Sequence, residues 1–158
     1  MKLLVVSDSH GNNEALEQLA LIYPNMDLYL HLGDSESDEF SIKPFISVRG
    51  NCDIYPNFQN SLIIPSPLGN ILASHHPFPS KRELEEKKIR FFLHGHTHRR
   101  RFETIKDITY LNPGSISFSR DGFDLSYMIL EINNKEFEVA FKCLGDKTIS
   151  KWFLIHIE

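Results

Sequence analysis

Cysteine is scarce in this chain: Cys52 and Cys143 are the only two, they lie far apart, and they form neither a CxxC pair nor a disulfide framework. That excludes a small disulfide-stapled scaffold and makes a reducing, cytoplasmic setting the simpler expectation. Positive charge is also short, with 17 Lys and Arg against 21 Asp and Glu, a formal net charge of -4 and a pI near 6.1. A dedicated nucleic-acid binder usually carries a strongly basic face, so nucleic acid is not expected as a partner except as a small nucleotide. Long apolar runs are missing as well. The run at residues 3–7 is too short for a signal-peptide core, and no stretch reaches the roughly 18 residues that a membrane span needs. Internal repeats and low-complexity segments are absent. What is present is 158 residues of 41% hydrophobic content with 12 Phe, enough for one domain over residues 1–158 with a sizeable core.

The chain opens as strand, helix and strand. Residues 2–7 are apolar and β-branched, Asn12 or Asn13 offers an N-cap for a helix with Leu16, Leu19 and Ala20 on one face, and residues 27–32 read as a second strand. That spacing predicts a βαβ unit with parallel strands. A polar loop with Asp34, Glu36, Asp38 and Glu39 follows, then a short strand at 45–48 and the turn "RGNCD". Runs at 61–64 and 70–74 flank the turn-rich "PSPLGN", which predicts a hairpin. Ser80 and Glu83 are spaced as a capping box for "KRELEEKK", and 90–94 is another strand. From residue 100 onward only strands are expected, at 101–105, 108–111, 125–132, 136–142 and 152–157. An α/β first half and a β-rich second half suggest two sheets packed face to face with helices outside.

Five of the early strand ends carry metal-ligating residue types. Asp8 and His10 follow the first strand, Asp34 the second, Asn51 the third, His75 follows "ILAS", and His96 and His98 lie in "GHTH" after "RFFL". The carboxyl ends of strands in an open α/β sheet face one crevice, so these residues are expected to meet. Two carboxylates, one amide and four imidazoles are oxygen and nitrogen donors without a thiolate, a set suited to Mn, Fe, Zn, Co or Ni and too large for one ion. Two metals are implied. The pairs Asp8/His10 and His96/His98 are two residues apart, and extended backbone would send both members of each pair to one side. Any one of these residues alone reads more simply as a helix cap or a hydrogen-bonded structural histidine. The coincidence of five strand ends outweighs that simpler reading.

"DSHGN", "GD", "GNCD", "SHH", "GHTH" and "NPGS" run in this order from residue 8 to 115. With them the chain resembles the calcineurin-like metallophosphoesterase superfamily, most closely its small bacterial and archaeal phosphodiesterase branch. The resemblance implies an α/β fold, a four-layer αββα sandwich of two mixed β-sheets flanked by helices, around a dinuclear centre. It implies that Asp8, His10, Asp34 and His98 hold one metal and that Asp34 bridges to a second held by Asn51, His75 and His96. Two divalent transition metal ions are implied, with Mn foremost. A bridging carboxylate offsets the repulsion between two dications, and a water or hydroxide between them, of depressed pKa, would attack phosphorus. Asp34 and Asn51 thereby take catalytic roles. Cys52 stands where many relatives have a His assigned to the leaving group, a change shared by the small phosphodiesterase branch. A neutral thiol is a weak donor, so the source of the leaving-group proton is open. His76 stands where relatives often have Gly and either donates to a phosphate oxygen or faces solvent, the second being the simpler reading.

Other candidates carry less. His31 and His94 lie inside strands and read as packed structural histidines, and His156 has no motif around it. Asn112 of "NPGS" is expected to orient a ligand from behind. Of Arg99, Arg100 and Arg101, alternation leaves one, taken as Arg99, to steer a phosphate. Trp152, Phe153, Leu154 and Ile155 suit a core or edge strand, or the interface of a homo-oligomer. The function expected is hydrolysis of a small phosphodiester, with specificity in loops 35–44, 53–60 and 76–82. Competing readings are a protein-binding scaffold of the same fold, as in a retromer subunit similar to this family, and a nuclease, for which the acidic balance leaves little grip on DNA.

Overall fold

The computed structural model describes residues 1–122 and 124–144, together with the backbone of 153–156. Its first strand, β1 (Lys2–Val6), is covered on both faces: Leu3 and Val5 join a cluster with residues of a second sheet, while Leu4 and Val6 join one with a helix. Successive strand side chains point to opposite faces, so a strand covered twice has to be apolar throughout. The helix is α1 (Asn13–Ile22), which buries Ala15, Leu16 and Leu19. Its N-cap is Asn12, whose side chain accepts from the Ala15 amide at 3.4 Å. Ala20, expected on the same face, is only half-buried.

As the spacing predicts, β2 (Leu28–His31) runs parallel to β1, and β3 (Ile46–Ser47) runs parallel to β2. On the other side of β1, the strands β9 (Ser126–Ile132), β10 (Glu136–Cys143) and β11 (Phe153–His156) add in antiparallel fashion. The sheet has six strands in the order β11-β10-β9-β1-β2-β3. Trp152 and the side chains of residues 153–156 lie outside the described residues, and with them the interface reading of that segment.

The second sheet has five strands. The expected hairpin is formed by β4 (Ser61–Ile64) and β5 (Asn70–Ser74); β6 (Ile89–Leu93) and β8 (Ile108–Pro113) continue it in parallel, and β7 (Arg100–Ile105) closes it antiparallel to β8. Between β5 and β6 lies α2 (Lys81–Glu86), shorter than its charged run. Ser80 caps it by accepting from the Glu83 amide at 3.3 Å, and Leu84 packs with Leu72, Ile89 and Phe92.

The main core lies between the sheets, where Phe91 of β6 meets Phe137 of β10 edge-on at 5.0 Å between ring centroids. The layers are therefore α1, the six-stranded sheet, the five-stranded sheet and α2, an αββα sandwich with one helix on each outer face. The open-sheet argument for one crevice takes a two-sheet form here. The strand ends that carry candidate ligands do meet, but β1, β2 and β3 belong to one sheet and β5 and β6 to the other. Among the described residues, no helix is long and apolar enough to cross a membrane.

Candidate metal centre

The backbone at the candidate ligands is not extended. Asp8, His10, Asp34, His96 and His98 have φ of 52°, 43°, 58°, 68° and 57°. Left-handed backbone costs a residue with a Cβ roughly 1–3 kcal/mol and survives where the surroundings over-determine it. The extended backbone expected at the two pairs is thus corrected, while the assignment of His98 and His96 to different metals, which the resemblance implies, agrees with their neighbours. Asp8 and His10 do point into one group, but His96 and His98 part company, and each joins a different group.

In the first group, His10 Nε2 and His98 Nε2 are 3.3 Å apart, and Asp8 Oδ1 is 3.2 Å from His98 Nε2 and 4.0 Å from His10 Nε2. In the second, Asn51 Oδ1 is 2.9 Å from His75 Nε2 and 3.0 Å from His96 Nδ1, and the two ring nitrogens are 3.3 Å apart. The carboxylates lie between the groups: Asp34 Oδ2 is 3.3 Å and Asp8 Oδ1 4.0 Å from His75 Nε2. Metal–ligand bonds of about 2.1 Å set neighbouring donors about 3.0–3.4 Å apart around one ion. The spacings of the second group match that edge length, as do those from His98 to His10 and Asp8 in the first, whereas Asp8 and His10 stand wider at 4.0 Å.

Hydrogen bonding on the far side of the rings decides what these atoms can do. His75 Nδ1 lies 2.7 Å from the Leu32 carbonyl and His98 Nδ1 2.6 Å from the Phe118 carbonyl, so each donates there. His10 Nδ1 lies 2.8 Å from the Glu36 carboxylate. A neutral imidazole has one N–H, so Nε2 of each ring presents a lone pair inward, toward carboxylate oxygens or another lone pair. Such an arrangement needs a cation, either a proton on a ring or a metal ion among the donors. Asp8 Oδ1 is the clearest case: it is fully buried without a hydrogen-bond partner. The residues fit a divalent metal.

The charges respond accordingly. Burial works to raise the Asp8 pKa, but the His98 imidazole 3.2 Å away, the Ser7 hydroxyl and the nearby His75 hold it below the usual carboxylate value. Burial likewise opposes ionisation of Asp34, yet His75 and the Cys52 amide bring it down to about 2. His98 is raised, chiefly by the Asp8 carboxylate beside it, and His75, against its burial, is raised by Asp34 and Asp8. His96 is lowered by burial and by His75 and His76. Both carboxylates are therefore anionic at neutral pH, and their charge favours a cation among the facing imidazoles.

Several supporting residues escaped the sequence reading. Asp53 is buried and accepts from the amides of Asp34 (2.9 Å), Gly50 (2.7 Å) and Glu36 (2.9 Å), tying the loops after β2 and β3 together. Its signal was its place in "GNCD". Glu36, noted only as an acidic loop residue, orients His10. Ser115 and Ser117 donate to the Asp8 carbonyl at 2.9 and 2.6 Å. Asn112, by contrast, was expected from the sequence to act from behind a ligand; it donates to Gly95 O and Thr97 Oγ1, each at 3.0 Å, and so braces the segment that carries His96 and His98.

The remaining candidates fall as follows. His31 is buried, with Ser9 Oγ 2.8 Å from Nε2 and the Gly33 amide donating to Nδ1 at 3.0 Å, and burial lowers its pKa to about 4. Buried His94, also lowered by burial to about 4, lies 3.0 Å from the Gly95 carbonyl and 3.3 Å from Arg101. His76 is exposed, its ring 4.8 Å from that of His96. Cys52 is exposed; its amide donates to Asp34 Oδ1 at 2.8 Å, and slight burial together with Asp34 pushes the thiol pKa up. Arg100 pairs with Asp121 and Arg101 with Glu103, which leaves Arg99 as the exposed member of the trio. Of His156 only the backbone, in β11, is described.

Residues 1–135 match the calcineurin-like phosphoesterase superfamily domain. The chain belongs to that superfamily. A probable metallophosphoesterase of Bacillus subtilis, YsnB, is 33% identical to this superfamily member over 152 residues, covering 89% of this chain and 90% of its own. A conserved protein from Streptococcus pneumoniae described as a predicted phosphoesterase has a solved structure 28% identical in sequence, with a TM-score of 0.84 and coverage of 98% of this chain and 97% of that one. Vps29 from Entamoeba histolytica, solved with zinc, shares the fold at 21% identity, with a TM-score of 0.74 and 99% coverage of both chains.

Proposed function

We propose that this superfamily member hydrolyses small phosphodiesters with two divalent metal ions. Asp8, His10, Asp34 and His98 would hold one ion, and Asp34, Asn51, His75 and His96 the other. The observation that carries the reading is Asp8 Oδ1, buried without a hydrogen-bond partner where inward-facing imidazole nitrogens converge on two ionised carboxylates. When bound, such ions neutralise phosphate charge and depress the pKa of a water between them. The protein's part is to hold that chemistry in place. Asp8 and Asp34 stay anionic, Leu32, Phe118 and Glu36 fix the ring orientations, and Asp53 and Asn112 brace the loops. Cys52, kept a neutral thiol, is a poor proton donor, and exposed His76 stands against His96 at the mouth of the site. A donor set without thiolate suits Mn first, with Fe, Zn, Co and Ni as alternatives.

The test is to load the protein with Mn and assay bis(p-nitrophenyl) phosphate beside p-nitrophenyl phosphate. The diester is expected to turn over faster, and no turnover of either with metal bound would sink the reading. D34N is expected to cut the rate by on the order of a thousandfold, because several kcal/mol of charge stabilisation are lost at tenfold per 1.4 kcal/mol. The fold-level likeness to Vps29 fits a second reading, a scaffold that binds proteins. Protein that takes up no stoichiometric metal and gains no thermal stability from Mn favours that alternative.

A further inference from the structure

An exposed phenylalanine stands beside the candidate metal centre on a segment tied to two of its ligands. Phe118 is 61% exposed. Its carbonyl accepts from His98 Nδ1, and its ring centroid lies 6.3 Å from that of His98 at an interplanar angle of 69°. The segment has little freedom. Ser115 Oγ accepts the amides of Ser117 and Phe118 at 3.1 and 2.9 Å, and both serine hydroxyls donate to the Asp8 carbonyl. The Arg120 amide donates to the His98 carbonyl at 3.0 Å. Ser119 Oγ donates to Asp121 at 2.8 Å, and Asp121 is held in turn by Arg100.

An exposed aromatic ring normally gains by burial, and one held on an anchored backbone loses little freedom when a ligand covers it. That is the form of a stacking platform. Beside it stands a cation. The Arg120 guanidinium lies 6.0 Å from the Phe118 ring centroid, on a residue whose amide is bonded to the carbonyl of the candidate ligand His98. A π surface and a guanidinium at the edge of a phosphate-handling centre match a ligand with a planar base and an anionic phosphate. An alkyl or glycerol ester offers only the second.

We propose that Phe118 and Arg120 form a nucleotide subsite, the ring stacking on the base and the guanidinium meeting a phosphate oxygen, so that the diesters cleaved here are nucleotide diesters. The proposal rests on the hydrolase reading above. Its test compares adenosine monophosphate with ribose phosphate by titration calorimetry on Mn-loaded protein. Alongside it, turnover of the p-nitrophenyl ester of thymidine monophosphate is compared with that of methyl p-nitrophenyl phosphate. Adenosine monophosphate is expected to bind roughly tenfold more tightly than ribose phosphate, and KM to favour the thymidine ester by a similar factor, as one base stacked on one ring provides. F118A should bring both ratios close to one and F118W should keep them. R120Q should weaken both binding ligands alike and leave their ratio standing. A thermal unfolding curve of F118A separates loss of stacking from loss of fold. Equal affinities in the wild type, or a ratio unmoved by F118A, overturn the subsite even if diesters are hydrolysed. Should Mn-loaded wild type cleave no diester yet show the F118A-sensitive preference for adenosine monophosphate, the hydrolase reading fails and the subsite stands.

Discussion

His31 and His75 take opposite roles because different atoms face them. His31 is enclosed by Ser9, Gly33 and Ser47, and burial holds it uncharged with a pKa of about 4. His75 is just as deeply buried, but its Nε2 faces the Asp34 carboxylate, which raises its pKa. A histidine whose folded pKa lies below its ordinary 6.5 takes up a proton in the unfolded chain first, so stability falls as pH drops from about 6.5 to about 4. Between pH 7 and pH 5 this linkage removes about 2 kcal/mol through His31. In metal-free protein, H31N is therefore expected to lose less stability over that interval, read by urea unfolding at both pH values. An identical pH dependence in wild type and variant would remove His31 from the account. Their places inside expected strands marked His31 and His94 as structural; both are buried and hydrogen-bonded, although His31 ends β2 and His94 lies just past β6. In "SHH" the reading of His75 as the inward member and His76 as the solvent-facing one agrees with their burial.

At the scale of elements, short loops do the positioning, and glycine lets them approach the carboxylates. A Cβ on Gly50 would fall on the Asp34 carboxylate and amide, and one on Gly95 on Ser7 Oγ and Asp8 Oδ2. G50A and G95A are therefore each expected to destabilise the protein by about 1–3 kcal/mol, as overpacking does, and to reduce the rise in Tm that Mn produces. Thermal scans with and without Mn check this, and an undiminished Mn shift in both variants would mean the loops do not set the ligand geometry. The strands and α1 were legible to within a few residues, since apolar periodicity is a local property. The run "KRELEEKK" was read too long, because charged residues of high helix propensity continue past Glu86, where the packing of Leu84 ends. Left-handed backbone at Asp8, His10, Asp34, His96 and His98 was not legible, since neither Asp nor His demands it.

Across the whole molecule, the candidate ligands come from both sheets: Asp8, His10, Asp34 and Asn51 from the ends of the six-stranded sheet, and His75, His96 and His98 from the five-stranded one. An ion held between them clamps the two layers at one end of the sandwich. Mn is therefore expected to raise the Tm of the whole chain, by the equivalent of about 2.7 kcal/mol at a hundred times its Kd, with the rise reversed by a chelator. D8N, which alters the carboxylate lying between the two groups, should lose most of that shift in a thermal scan. A full shift in D8N would place the bound ion elsewhere. By itself, the sequence determined the order of strands and helices and the chemical identity of the donors, because both are written in residue types over short spans. Only the tertiary structure decided that these donors meet from two facing sheets with Asp53, Glu36, Ser115 and Ser117 bonded behind them. It also decided that Phe118 comes to lie against His98. Those neighbours are set by how two sheets stack and where their loops meet, and no local pattern along the chain encodes that distance.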